Sequence, residues 1–222
     1  MSDTKQSTNR RLSREVVLAG AVALADEIGA EALTIRKLAD HLGTKPMSIY
    51  HHVANKDAIL DGMVDRVFAE IEVPPADLEW RAAMAVRMHS GRAALARHSW
   101  AAALLETRTT PGHETLAHHD AVLGCFYRAG FSDGLASHAY AVLDSYLYGF
   151  ALQEASLPFD GGAPPPELVE SIIESMPDDE LPNLRRQAVD HVLQPGYAFG
   201  NAFAVGVEIL LDGFEARRLA ER

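Results

Sequence analysis

The chain has 222 residues, a single cysteine and a net charge of −11 at pH 7. That length holds one large helical domain, or a small domain followed by a larger one. The lone Cys125 excludes an internal disulfide and any cysteine-based zinc site, which fits a reducing, cytoplasmic compartment. Met1 to Arg11 is polar and has no apolar core of the signal-peptide kind, so residues 1–12 read as a flexible arm. Arg10, Arg11 and Arg14 stand where the arm enters the first helix and are placed to meet phosphates. No apolar run is long enough to span a bilayer, and no membrane partner is expected.

Ser13 to Ile28 carries apolar residues at Val16, Val17, Gly20, Ala23, Leu24 and Ile28, the pattern of a helix with one buried stripe. Thr34 precedes Ile35, Leu38, Ala39 and Leu42 at helical spacing and is expected to cap that helix with its hydroxyl. Gly43 stands where the chain must reverse, a place that calls for positive φ. Thr44 is expected to cap the next helix, with Pro46 in its first turn. Asn55 is a third cap, opening a helix that runs to about Val73 and ends at Pro74-Pro75. Two short helices around a glycine turn have the layout of a helix-turn-helix, whose second helix enters the major groove.

Assigning Leu38, Leu42, Ile49 and Val53 to a small core leaves Lys45, Pro46, Met47, Ser48, Tyr50, His51 and His52 outward. Small hydroxyl and apolar groups meet base edges and thymine methyls, while tyrosine and histidine reach phosphate or base. Charge is distributed to match. Residues 1–60 hold eight Lys and Arg against seven Asp and Glu, whereas the remainder holds twelve against twenty-four. So weak a local excess implies a small phosphate footprint, and two copies of the reading helix are needed for affinity.

Further along, Leu78 to Ala96 reads as a helix with Trp80, Met84, Met88 and Leu95 inward, and Trp100 to Thr107 as a short apolar one. His113 to Ala129 is helical and closed by Gly130. Asp133 to Glu154 and Tyr197 to Leu211 are apolar nearly all round, with Asp144 and Glu208 as their internal charges. Helices of that kind must be covered on several sides. Tyr140, Tyr146, Gly149, Phe150, Phe199, Gly200, Phe203, Gly206 and Phe214 suit close packing, and the pair reads as the dimer-forming helices, two from each chain in a four-helix contact, with the core of one chain as the competing reading. Leu157 to Asn183 is proline-rich, with an acidic run at Asp178-Asp179-Glu180 and one helix expected over Pro166 to Ser175.

Thr34-Ile35-Arg36-Lys37-Leu38-Ala39, Gly43, Ser48-Ile49-Tyr50-His51-His52-Val53 and Asn55-Lys56-Asp57 together resemble the DNA-binding signature of TetR-family repressors. The specific part of the resemblance runs from Leu12 to about Met63. Beyond it the chain is similar to the tetracycline-repressor branch more loosely, at Glu106-Thr107-Arg108 and Asp212-Gly213-Phe214-Glu215. The resemblance implies an all-α fold, with a helix-turn-helix domain at 13–58 and a ligand-binding and dimerisation domain at 59–222, joined by the helix from Asn55. It also implies a homodimer on a double-stranded DNA operator, released by a small-molecule effector. Thr34, Arg36, Lys45, Pro46, Met47, Ser48, Tyr50, His51, His52 and Lys56 are the expected DNA-binding residues. Arg36 matches a base-contacting arginine, and Tyr50, His52 and Lys56 match residues that touch backbone or adjacent bases. Pro46, Met47 and His51 depart from the tetracycline repressors, which implies a different operator.

An effector cavity is expected among Arg87, Met88, Gly91, Trp100, Leu104, Phe126, Tyr140 and Leu143. It is mostly apolar, with Arg87 available to an acidic group on the ligand. The resemblance places Leu104 where tetracycline repressors hold the magnesium-binding histidine, and Arg87 where they hold a drug-binding asparagine. Magnesium-tetracycline is therefore not the expected effector, and no cofactor or metal site is expected. Glu114, His118, His119 and Asp120 lie close together on one helix, but a single helix supplies two ligands where a metal needs three or four. Their expected place is an exposed helix face. With no His-Glu-x-x-His, phosphate-binding glycine loop or nucleophile elbow, the sequence does not read as an enzyme. The alternatives are a helical small-molecule carrier, or a protein-interaction module whose helix-turn-helix does not act on DNA.

Overall fold

The computed structural model describes residues 11–105, 107–159, 164–177 and 181–221. The arm to Arg10, Glu106 of the Glu-Thr-Arg fragment and the acidic run 178–180 lie outside the described residues. Described residues form helices and loops, with no strand among them. They divide into two compact units. The first comprises the described residues up to Ile71 together with Arg97–His119, and the second comprises Glu72–Ala96 and the residues from Asp120 onward.

In the first unit, α1 (Arg14–Ile28), α2 (Ile35–His41), α3 (Pro46–Tyr50), α4 (Lys56–Ala69) and α6 (Ala101–Leu105) surround a core of Val17, Leu33, Leu38, Ile49, Ile59 and Met63. Caps set the ends of these helices. The Ser13 hydroxyl accepts from Val16 N, Thr34 from Lys37 N at 3.2 Å, and the Asn55 amide oxygen from Ala58 N at 2.8 Å. Gly43 makes the turn at φ 62°. Thr44 does not cap α3. Lys45 is the N-cap residue, with no side-chain cap bond, because Pro46 at the first helical position forces its predecessor into extended backbone (φ −93°, ψ 146°).

Helix α1 buries Val17, Leu18, Ala21, Leu24 and Ala25, while Ala23 and Ile28 are exposed. The buried stripe is thus rotated from the expected one, because a helix this rich in apolar residues offers more than one face. Glycines allow the close crossings. A Cβ at Gly20 would stand 2.5 Å from Leu42 Cδ2, and one at Gly62 on α4 would stand 2.7 Å from both Leu18 methyls. Helix α4 stops at Ala69, short of Val73, its last turn tightening through Glu70 N→Val67 O and Ile71 N→Phe68 O.

The second unit contains α5 (Trp80–Arg97) up to Ala96, the later part of α7 (His113–Arg128), α8 (Asp133–Ala155), α9 (Pro166–Ser175), α10 (Pro182–Gln187) and α11 (Asn201–Ala220). Helix α9 falls where expected. Helix α10, the single π-helical turn Ala188–Val192 after it, and the extension of α11 to Ala220 were not anticipated. Tyr146 and Phe150 of α8 mesh with Phe199 and Phe203. Tyr146 stacks on Phe203 at 5.4 Å and donates to the Ala202 and Phe203 carbonyls at 3.1 Å each. Phe150 meets Phe199 at 4.8 Å. Gly206 leaves room for the Tyr146 ring, which a Cβ there would strike. Arg92 clamps the joint, bonding Glu154 and the Gly200 carbonyl while lying 5.2 and 5.1 Å from the Phe150 and Phe203 ring centres. Much of the aromatic set therefore closes a single chain rather than facing a second copy. Among the described residues no helix is long and apolar enough to cross a membrane.

Candidate nucleic-acid interface

Helix α3 is short, and its register is decided by Ile49, which is fully buried. Around that anchor, Lys45, Pro46, Met47, Tyr50 and His51 are exposed, with Met47 at 69% and Tyr50 at 44%; Ser48 and His52 are half-buried. Arg36 in the first turn of α2 and Lys56 at the start of α4 are exposed as well. Each of these cations sits beside a helix start fixed by a side-chain cap, so its backbone position is well determined. Thr34 is exposed, but its hydroxyl is engaged in capping α2. Lys37 bends back to the Ala32 carbonyl at 3.0 Å. The surface thus offers cations, a phenol, imidazoles and a thioether on one small scaffold. The charged and hydrogen-bonding members suit phosphate contacts and the apolar ones suit groove contacts.

Arg108 bridges Asp57 at 3.4 Å and Asp61 at 3.5 Å, tying the start of α4 to the segment before α7. One turn further along the same face of α4, Asp65 accepts from Thr115 N at 2.9 Å and Thr115 Oγ1 at 3.0 Å, so it caps α7 from another helix. Phe68 packs against the rings of His118 and His119, each 5.6 Å away. His118 is 2% exposed, which corrects the expectation that this histidine cluster is an exposed face. The helix lies against α4, and the histidines serve that packing. Among the described residues no group of three or more His, Cys, Asp or Glu side chains is arranged to hold a metal ion.

In the second unit Arg87, Met88, Gly91, Phe126 and Leu143 are buried and Tyr140 is half-buried. Arg87 is not available to an acidic ligand group in this conformation, because its Nη2 binds Asp144 Oδ1 at 2.5 Å. Asp144 also accepts from the Tyr148 hydroxyl at 3.1 Å. Burial, and then the Asp144 carboxylate, push the Tyr140 hydroxyl well above the ordinary phenol range, so it stays protonated. Trp100 and Leu104 belong to the first unit, where the Trp100 indole donates to Asp26 Oδ1 at 2.6 Å. Two cavities in the second unit are lined by other residues. One of about 300 Å³ has Trp80, Cys125, Arg128 and Arg218 in its wall, and burial raises the Cys125 thiol. The other, of about 730 Å³, lies among Gln187, His191, Gln194, Tyr197, Val205 and Ile209.

Residues 17–63 match the profile of the bacterial regulatory proteins of the tetR family, and residues 74–218 match that of the tetracyclin repressor-like C-terminal domain. The chain belongs to the TetR family. The class A tetracycline repressor from transposon 1721 of Escherichia coli is 32% identical over 96% of this chain and 94% of its own length. Among solved structures, the TetR-family protein ActR of Streptomyces coelicolor in complex with (S)-DNPA aligns with a TM-score of 0.74 and 26% identity. That alignment covers 94% of this chain and all of ActR. A TetR variant from Acinetobacter baumannii in complex with minocycline aligns with a TM-score of 0.72 and 25% identity, over 94% and 96% of the two chains. This TetR-family chain is accordingly a DNA-binding transcriptional regulator.

One group of side chains escaped the sequence reading. Asp26, Glu70, His98 and Trp100 converge in the first unit, although 72 residues separate Asp26 from His98. No local spacing announces such a cluster. The available hint is the Asp26-Glu27 pair that follows the apolar run from Val16 to Ala25.

Proposed function

We propose that the chain is a homodimeric repressor that reads a palindromic operator with α3 and is released by a small, largely hydrophobic effector. The exposed shell of Met47, Tyr50 and His51 over the buried Ile49 carries the DNA-reading half of this proposal. Small and apolar groups at Pro46 and Met47 suit thymine methyls, and Arg36 suits a bidentate contact to guanine. Tyr50, His52 and Lys56 anchor the backbone. Two such surfaces related by a two-fold axis engage half-sites about 34–36 Å apart.

For the regulatory half, support comes from relatives bound to small molecules and from the apolar setting of Met88, Gly91, Phe126, Tyr140 and Leu143. Because Arg87 is already neutralised by Asp144, an uncharged ligand with hydrogen-bonding groups fits this set better than an acid. An effector that prefers the off-operator conformation by about 1–3 kcal/mol changes occupancy roughly 5–150-fold. Tyr50→Ala and Lys56→Ala are expected to weaken operator binding by about tenfold each, the cost of one to two good contacts. Both should leave the dimer intact. Gel-shift titration beside size-exclusion chromatography reads both quantities, and full-strength binding by both variants would remove α3 and the start of α4 from the interface.

A further inference from the structure

We propose that His98 is a positioning residue for operator binding, holding α1 to the end of α4 as an imidazolium between Asp26 and Glu70. This rests on the DNA-reading role of the first unit and adds to it a proton-dependent brace. The ring is 7% exposed, and its two nitrogens face two different carboxylates. Nδ1 lies 2.8 Å from Asp26 Oδ1 on α1, and Nε2 lies 3.2 Å from both Glu70 oxygens at the C-cap of α4. A neutral imidazole has one N–H and one lone pair, so one of the two carboxylates would face a lone pair. Only the protonated ring donates to both.

The surrounding groups fit that charge state. Asp26 also accepts from the Trp100 indole at 2.6 Å, and Glu70 binds Arg97 Nη2 at 2.8 Å. Burial alone would raise the Glu70 carboxyl, but hydrogen bonds from Arg97 and then His98 outweigh it and hold the group below its usual value. Each carboxylate therefore keeps a second donor when His98 loses its proton, and neither is forced to follow the ring. What is lost is the bridge from Asp26 to Glu70, because it passes through the ring. Helix α1 packs on α2 and α4, and α2 in turn carries α3, so a looser α1 leaves the reading surface less preorganised and operator binding weaker.

The sign follows from the donor count. The clasp is complete while the ring holds both its protons and is lost once it releases one, and Glu70 is held in its ionised form by Arg97. Wild-type affinity alone does not isolate the effect, because His51 and His52 belong to the proposed reading surface and are histidines too. The informative quantity is the difference between wild type and His98→Gln, which keeps a donor but never a charge. Operator affinity of the full chain is measured from pH 6.5 to 8 by fluorescence anisotropy. Wild type should lose on the order of 3–10-fold more affinity over this range than His98→Gln. Glu70→Gln, whose amide N–H can meet the Nε2 lone pair while its oxygen keeps Arg97, should flatten the profile in the same way. Parallel pH profiles for all three proteins, with tight binding retained, would overturn the proposal and leave the DNA-reading role standing.

A readout without DNA separates the two ideas. In a Trp80→Phe background, Trp100 fluorescence should show a transition in this pH range that His98→Gln abolishes. If that transition appears but no variant binds any operator duplex, the DNA-reading role fails and the positioning role falls with it. Absence of the transition would count against the clasp itself.

Discussion

Ile209→Glu is expected to give a folded monomer that no longer holds its operator. Helix α11 buries Phe203, Val207, Leu211 and Phe214 within its own chain, yet Ala202, Val205, Ile209, Ala216 and Leu219 lie along the opposite face. Val205 is 57% exposed and Ile209 64%. Helix α8 repeats the arrangement with Val142, Ser145, Gly149 and Leu152 at the spacing of one stripe. Large apolar side chains so exposed on two neighbouring helices fit a face covered by a second copy. Because a charge at Ile209 points away from the chain's own core, stability should change little, whereas a dimer contact would have to bury it. Each operator half-site would then be bound singly, and affinity should fall on the order of 10²–10⁴-fold as the avidity of two linked readers is lost. Analytical ultracentrifugation beside an operator titration measures both quantities. A variant that stays dimeric and binds normally would place the pairing surface elsewhere.

The second large effect concerns stability. Arg87→Ala strands Asp144 in the second unit, where the arginine is fully buried and the aspartate 7% exposed. Breaking a buried pair from one side costs about 3–5 kcal/mol, more than the pair itself contributes relative to a neutral replacement. The double variant Arg87→Met, Asp144→Asn should recover most of that loss. It removes both charges and keeps an acceptor for the Tyr148 hydroxyl. The Arg87→Ala deficit should also shrink toward acid pH. A stranded carboxyl is tolerated once protonated, so its folded-state pKa lies above the unfolded value and the associated stability is lost as pH rises. Urea unfolding at pH 5 and pH 7.5 checks both points. Equal losses in the single and double variants would mean that the pair is not the source of the effect.

Features governed by neighbouring residues were legible in the sequence. The Thr34 and Asn55 caps, the Gly43 turn, the inward Ile49 and helix α9 each depend on a few adjacent positions, and each stands where the pattern put it. Thr44 was misassigned because the backbone demand of Pro46 acts on the residue immediately before it. The buried stripe of α1 was misjudged where apolar residues line more than one side. Distance in sequence hid the rest. Arg87 read as a free anchor because Asp144 lies 57 positions away, and His118 read as solvated because Phe68 lies on another helix. Positive charge near the amino end was informative only through its placement at capped helix starts, since its net excess is a single unit.

Selection of bound fragments from genomic DNA, followed by a salt titration on the palindrome recovered, tests the central claim most directly. A regulator that grips phosphates from two α3 surfaces should bind with two chains per duplex. Its log affinity should fall linearly with log salt, with a slope of about −0.9 per phosphate neutralised, and Lys56→Ala should make that slope shallower by about two, one contact being lost from each chain. Binding that ignores salt, or a duplex saturated by one chain with Lys56→Ala indistinguishable from wild type, would contradict it.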